Sequence, residues 1–131
     1  MIRKIDHVGY CVNSIDEAIA FYRNFAAVEV VGRKAFPERN QESCTIRIGE
    51  GEDYIELMEP IGDEGVVATF LKKRGQGLHH ISLFTDDLDG TCEQMKRAGI
   101  KIVGKTSSIA FTHPKTSMGV VYEITNGTFD E

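Results

Sequence analysis

The chain has 131 residues, of which 41% are hydrophobic and 27% charged, and this is the composition and length of one ordinary globular domain. Its net charge of −5 argues against nucleic acid as a partner, because phosphate backbones bind to basic surfaces. No run of about eighteen apolar residues could span a membrane, and Arg3, Lys4 and Asp6 interrupt the N-terminus where a signal peptide is apolar, so we expect a cytoplasmic protein without a membrane partner.

The three cysteines indicate neither a disulfide framework nor a cysteine metal site. Cys11, Cys44 and Cys92 are an odd number, are widely spaced, and contain no Cys-x-x-Cys pair. Each lies within an apolar pattern, so we expect three reduced, buried thiols.

The first half of the chain predicts one strand, one helix and three more strands. Residues 3–12 alternate as a strand does, and Ser14 followed by Glu17 has the form of a helix-capping box. Helical spacing continues to about Phe25. The pattern then indicates a short strand at 28–31, a loop from Gly32 to Gln41, and strands at 43–48 and 54–58 joined by a hairpin turn.

The second half repeats this order after a short helix near residues 66–73. Strand 81–85 leads to Asp87, which we expect to cap a helix from Leu88 to Ala98, and Gly99 supplies the left-handed residue that ends it. Three strands follow, at 100–103, 109–112 and 119–124, before a polar tail at 126–131.

An internal repeat relates the two halves. A shift of 73 positions superposes His7 on His80 and Ser14 on Asp87. A four-stranded unit with one helix cannot cover both faces of its sheet alone, so we expect an α+β fold of two βαβββ modules that form one curved sheet around a metal-binding cleft. The predicted organisation is a single domain over 1–131, with module one at about 3–60, a connecting helix at about 62–76, and module two at about 77–125.

The repeat nominates four metal ligands. His7 and His80 lie on the first strand of each module, while Glu56 and Glu123 lie on the last. Each of these residues alone is ordinarily structural, but a repeated pair of imidazole and carboxylate donors suits zinc, nickel, cobalt, iron or manganese and leaves coordination positions open. His79 faces the other side of its strand and is interpreted as structural, and His113, before a proline, as a turn or ligand-rim residue. Four basic residues could hold a small anion, although a solvated helix end explains the first three equally well: Lys72, Lys73, Arg74 and Lys115.

Several stretches resemble the vicinal oxygen chelate superfamily, which includes glyoxalase I and the extradiol dioxygenases. These are Ile5-Asp6-His7-Val8, Tyr54 to Pro60, and Val121 to Ile124. Within the superfamily the sequence is most similar to the methylmalonyl-CoA epimerases, through Phe70 to Ile81 and Ala110 to Lys115.

The resemblance implies a 1,1-proton transfer through a metal-stabilised enediolate on methylmalonyl-CoA or a similar acyl-CoA thioester. His7, Glu56, His80 and Glu123 would be the metal ligands. Glu123 would also transfer a proton on one side of the substrate, and Glu42 is the candidate on the other side, with Cys44 at that place in an alternative alignment.

The alternatives are a glyoxalase I-like lactoylglutathione lyase, which uses the same ligand set, and a metal-free binding protein of the same fold. An extradiol dioxygenase fits less well, because its sites use two histidines and one carboxylate. We expect a homodimer, since two-fold dimers are common for small domains.

Overall fold

The computed structural model describes residues 1–127, and the last four residues of the expected polar tail lie outside this range. Module one contains β1 (Ile2–Cys11), α1 (Ile15–Arg23), β2 (Val28–Phe36), β3 (Gln41–Ile48) and β4 (Tyr54–Pro60). Helix α2 (Val66–Arg74) follows. Module two contains β5 (Gly77–Thr85), α3 (Leu88–Arg97), β6 (Ile102–Val103), β7 (Ile109–Thr112) and β8 (Val121–Thr125). The predicted α+β fold of two βαβββ modules is confirmed.

The helix starts follow the repeat seen in the sequence. Ser14 Oγ accepts a hydrogen bond from the backbone N–H of Glu17 at 3.1 Å, and Asp87 Oδ1 accepts one from that of Gly90 at 3.0 Å. Each bond satisfies a backbone donor that the first helical turn leaves without an intrahelical partner. Gly99 has φ +87°, so the predicted left-handed residue after α3 is also present.

The chain forms two compact units whose boundaries cut through β1 and β5. The first compact unit is residues 8–79, and the second is residues 1–7 and 80–127. The strand order is β2-β3-β4-β1 in the first unit and β1-β5-β8-β7-β6 in the second. In the second unit β8 runs parallel to β5 and antiparallel to β7. The division into a single domain with three segments stays a prediction.

Each unit buries its own apolar core. In the first unit α1 packs on β3 and β4 through six buried residues, which are Val12, Ile15, Ile19, Cys44, Ile46 and Leu57. In the second unit α3 packs on β7 and β8 through Leu88, Cys92, Ala110 and Ile124. A smaller cluster of Cys11, Met58 and Val67 places α2 in the first unit. Burying each large aliphatic side chain stabilises the fold by about 1.5–3 kcal/mol.

The structure corrects the loop expected from Gly32 to Gln41. Strand β2 continues to Phe36 through an irregularity between Val30 and Gly32, and only Pro37–Arg39 forms a turn, of 3₁₀ type. The extension pairs with β3, with Ala35 opposite Glu42 and Phe36 opposite Gln41. Backbone pairing with a neighbouring strand therefore overrides a local sequence of low strand propensity.

Candidate metal and proton-transfer site

Three of the four expected ligands meet inside the second compact unit. His7 ends the part of β1 that belongs to this unit, His80 lies on β5, and Glu123 lies on β8. The parallel register pairs Glu123 with Ser82, and Ser82 shares a strand face with His80 two positions before it. The pleat of β5 and its register with β8 therefore direct the imidazole of His80 and the carboxylate of Glu123 to the same side of the sheet.

The donor atoms of these three residues lie within 4 Å of one another. The Nε2 atoms of His7 and His80 are 3.3 Å apart. One carboxylate oxygen of Glu123 is 3.9 Å from Nε2 of His7, and the other is 3.7 Å from Nε2 of His80. The residues are only 8%, 4% and 9% exposed, in chain order. A buried carboxylate held between two imidazoles is an uncommon arrangement for groups with a purely structural role.

The donor set fits a divalent transition metal ion. Nitrogen and oxygen ligands bind zinc at about 2.0–2.2 Å, and donors around one such ion lie roughly 3 Å or slightly more from each other. The separations here, 3.3 to 3.9 Å, are close to that range. Two imidazoles and a carboxylate also match the donor preference of zinc, nickel, cobalt and iron. Without a cation, the 3.3 Å between the Nε2 atoms of His7 and His80 leaves room for only one hydrogen atom between them.

Polar groups behind the donors hold them in place. The Nδ1–H of His7 donates to Oδ2 of Asp6 at 2.8 Å, and Ser82 Oγ donates to Oε1 of Glu123 at 3.1 Å. The hydrogen bond from His7 keeps the pKa of Asp6 below its ordinary value, although burial acts in the opposite direction. The ring of Phe111 faces that of His80 edge-on, with centroids 6.5 Å apart. Asp6 and Ser82 were not predicted, although a carboxylate directly before His7 and a hydroxyl two residues after His80 were both visible as signals.

Glu56 belongs to the first compact unit, on β4. It pairs with Thr45 of β3 and is half-buried, and it shares its strand face with Tyr54 and Met58 as the alternation predicts. Its negative charge contributes, after burial, to raising the pKa of the Cys11 thiol to about 12. Its role as a metal ligand stays a prediction.

Glu42 occupies an environment that does not suit a second proton-transfer group. It pairs with Glu59 across β3 and β4, and this pair lies on the opposite face of the sheet from the Thr45–Glu56 pair. On this face Glu59 Oε1 accepts from the backbone N–H of Ile15, at the start of α1. The Glu42 carboxylate accepts a 2.7 Å hydrogen bond from Arg33 Nε, and Arg33 also contacts Asp16. This ion pair on the helix-bearing face argues against a proton-transfer role for Glu42, which stays a prediction.

The alternative at this place in the sequence, Cys44, is fully buried in the core of the first unit. Burial raises the pKa of its thiol, so it stays protonated and poorly suited to proton abstraction. All three cysteines are free and buried, as the sequence predicts.

The other two histidines lie in structural surroundings. His79 packs edge-on against Phe70 with ring centroids 5.6 Å apart, and burial lowers the pKa of its imidazole. His113 precedes a 3₁₀ turn at Pro114–Thr116, where its Nδ1 accepts from the backbone N–H of Lys115 at 3.1 Å. His113 is therefore the turn residue that the following proline predicts. Over residues 1–127, no helix is long and apolar enough to cross a membrane.

Comparison of the whole chain with known proteins shows the family to which it belongs. The chain is 29% identical to the ethylmalonyl-CoA/methylmalonyl-CoA epimerase of Cereibacter sphaeroides, over 95% of this chain and 98% of that protein. The structure of methylmalonyl-CoA epimerase from Mycobacterium tuberculosis matches with a TM-score of 0.84 at 28% identity, over 95% of this chain and 87% of that one. A variant of the Streptomyces coelicolor methylmalonyl-CoA epimerase, in complex with 2-nitronate-propionyl-CoA, matches with a TM-score of 0.83 at 27% identity, over 95% and 96% of the two chains. The family model for the Glyoxalase/Bleomycin resistance protein/Dioxygenase superfamily matches residues 6–118, and the chain belongs to that superfamily.

Proposed function

We propose that the chain is an isomerase that epimerises methylmalonyl-CoA or a closely similar acyl-CoA. The observation that carries the proposal is the meeting of His7, His80 and Glu123 in a chain similar to methylmalonyl-CoA epimerases along almost its whole length. The substrate carbon in such a thioester lies between a thioester carbonyl and a carboxylate. Its proton is weakly acidic, so its removal needs a positioned base and stabilisation of the charge that develops.

His7, His80 and Glu123 would hold a divalent metal ion, with Glu56 as the fourth ligand. When bound, such an ion supplies Lewis-acid stabilisation of negative charge on the carbonyl oxygens of a substrate. The support for Glu56 comes from the repeat, since it lies on the last strand of module one as Glu123 does in module two. The donor chemistry suits cobalt, nickel, zinc, manganese or iron, and the identity of the ion depends on supply as well as affinity.

Glu123 is the proposed proton-transfer residue. Its two carboxylate oxygens lie in different surroundings: Oε1 accepts the hydrogen bond from Ser82, while Oε2 is the oxygen closer to Nε2 of His80. A buried carboxylate fixed in this way takes up a proton without first reorganising water around it. Inversion also needs a proton donor on the opposite side of the substrate carbon, and the ion pair with Arg33 argues against Glu42 in that role.

Solvent isotope exchange tests the reaction. In deuterium oxide, the wild-type protein should introduce deuterium at the α-carbon of methylmalonyl-CoA and convert one epimer into the other. We expect Glu123→Gln to reduce both rates by at least about 100-fold, since proton transfer by a positioned side chain contributes about 10²–10⁴-fold. Glu42→Gln should retain rates within a few fold of wild type, because it changes only a surface ion pair.

Assaying the same preparation with both substrates distinguishes the epimerase reaction from that of a lyase. A glyoxalase I-like lyase has the same donor set, and it would turn over the methylglyoxal–glutathione adduct without exchanging the proton of methylmalonyl-CoA. That result would contradict the proposal. Binding of acyl-CoA with no exchange in metal-loaded protein would instead indicate a binding protein of the same fold.

Metal binding is tested separately by titrating metal-free protein with cobalt(II) and recording its absorption spectrum. We expect His80→Gln to weaken binding by at least about 10-fold, because one of the few ligands is lost. His79→Gln is the matched control on the adjacent residue and should bind as wild type, since His79 packs against Phe70. Glu56→Gln should weaken binding if Glu56 is the fourth ligand, and unchanged affinity would remove it from the set.

We also propose that the chain forms a homodimer through β2. Within residues 1–127 this nine-residue strand has one neighbour, β3, and it exposes Val30 and Val31 by 43% and 47%. A long strand edge that carries β-branched side chains readily pairs with another strand. A two-fold dimer of this kind would cover both edges at once.

A further inference from the structure

Asp6 lies directly behind one of the proposed ligands. Its Oδ2 atom is 2.8 Å from Nδ1 of His7, and the side chain of Asp6 is 21% exposed. A carboxylate at neutral pH can only accept, so His7 must donate from Nδ1. The shortness of the contact is typical of a charge-assisted hydrogen bond.

This hydrogen bond decides where the single proton of a neutral His7 imidazole resides. With the proton on Nδ1, the lone pair of the ring lies on Nε2. Nε2 is the atom that lies 3.3 Å from Nε2 of His80 and 3.9 Å from the carboxylate of Glu123. The opposite tautomer would place a proton on Nε2, between the three donors, and would block that nitrogen as a ligand.

The hydrogen bond also fixes the ring. Rotation of the imidazole about its χ2 angle would exchange the positions of the ring atoms. The hydrogen bond from Nδ1–H to the carboxylate of Asp6 opposes this rotation. The edge-on packing of the His7 and His80 rings, with centroids 5.4 Å apart and planes at 82°, depends on the same orientation. The interaction comes from adjacent residues of β1, so it forms within the strand itself.

We propose that Asp6 is a positioning residue for metal binding: it selects the Nδ1–H tautomer of His7 and orients Nε2 toward the metal. The proposal rests on the ligand set assigned above. It goes further, because it makes the affinity of the site depend on a carboxylate that does not itself bind the ion. Such hydrogen-bonded partners of metal ligands change affinity by about 10–100-fold when they are removed.

Two readouts, neither of which is enzyme activity, test the role. Proton–nitrogen correlation NMR of metal-free protein reports the tautomer of His7, which should be Nδ1–H in wild type and should become mixed in Asp6→Ala. Cobalt(II) titration should show affinity about 10–100-fold lower for Asp6→Ala. Asp6→Asn keeps the size of the side chain and an acceptor oxygen, so it should retain the tautomer and bind with intermediate affinity.

The matched control is Asp86→Asn. Asp86 is also a paired aspartate of the second compact unit, but its partner is Arg3, at 2.7 Å, on the exposed surface. This variant should bind cobalt as wild type and leave His7 unchanged. An Asp6→Ala variant with wild-type affinity and an unchanged His7 tautomer would overturn the proposal. If wild type itself binds no cobalt, the assignment of the metal ligands fails, while the tautomer measurement still judges the role of Asp6.

Discussion

The cysteine thiols show how burial controls reactivity at single residues. Cys11 and Cys44 are fully buried, and Cys92 is 1% exposed. Burial raises the pKa of each thiol, that of Cys11 to about 12, and Glu56 adds to the effect on Cys11. Because the thiolate is the reactive form, all three should be nearly inert toward thiol reagents in the folded protein.

A disulfide-exchange reagent such as Ellman's reagent measures this directly. At about pH 8, where free thiols react readily, the folded protein should react at least 100-fold more slowly than protein in concentrated guanidinium chloride, by the order of magnitude that burial and a raised pKa imply. Three thiols should react per chain after unfolding, as the sequence contains three cysteines. One thiol reacting at the unfolded rate in native protein would contradict the burial.

The same shift affects stability at high pH. The folded-state pKa of Cys11 is raised from an ordinary value of 9.0 to about 12, so its protonated form is favoured by folding. The corresponding stability is fully present below pH 9 and decreases as the pH rises toward 12. The free energy of unfolding should fall over this window, and it should fall less steeply in Cys11→Ala, although that variant starts from lower stability.

Among the secondary-structure elements, helices α1 and α3 begin with corresponding capping residues, so the same stability prediction can be tested twice. Replacing Ser14 or Asp87 with alanine removes the acceptor for the N–H of Glu17 or Gly90. Each loss should reduce the free energy of unfolding by about 1 kcal/mol, within a range of about 0.5–2 kcal/mol, as measured by urea denaturation. Ser14→Thr and Asp87→Asn retain an acceptor and should keep most of the stability. If the alanine variants match these controls, the caps contribute nothing measurable.

The elements also show where sequence patterns succeed and where they stop. Period-2 alternation and capping residues placed β1, α1, α3 and the hairpin strands, because those signals are local. The outer half of β2 was missed, because its strand state depends on pairing with β3 rather than on its own residues. The alternation of Cys44 and Ile46 places Glu42 on the apolar face, so the sequence itself already argues against Glu42 as the second base.

At the scale of the whole molecule, the 73-residue repeat predicts more than any single motif. It paired His7 with His80, and the structure brings their Nε2 atoms within 3.3 Å. It also selected Glu123 from the many carboxylates of the chain. The repeat does not predict the roles of Asp6 and Ser82. The residue of module one that corresponds to Ser82 is not a hydroxyl residue, and the hydrogen bond of Asp6 depends on side-chain orientation, which a sequence pattern does not give. Residence in the cytoplasm stays a prediction.

The edge of β2 gives the prediction about assembly. The strand carries Glu29 in its first half and Arg33 and Lys34 in its second, so antiparallel pairing of two copies brings opposite charges toward each other. We expect a homodimer of twice the 14.6 kDa chain mass in sedimentation equilibrium. Val31→Lys places like charges near the two-fold axis and should weaken the dimer by at least about 10-fold, since a charged residue on an edge strand opposes pairing.

Val31→Thr is the matched control at the same position. It keeps the β-branched shape and adds no charge, so it should dimerise within a few fold of wild type. The folded state of both variants is checked by thermal unfolding, because Val31 is 47% exposed and its replacement should change stability little. If Val31→Lys sediments as a dimer with wild-type affinity, the two copies associate through another surface. If wild type is monomeric at high concentration, the edge of β2 does not pair with a second copy and the homodimer proposal is wrong.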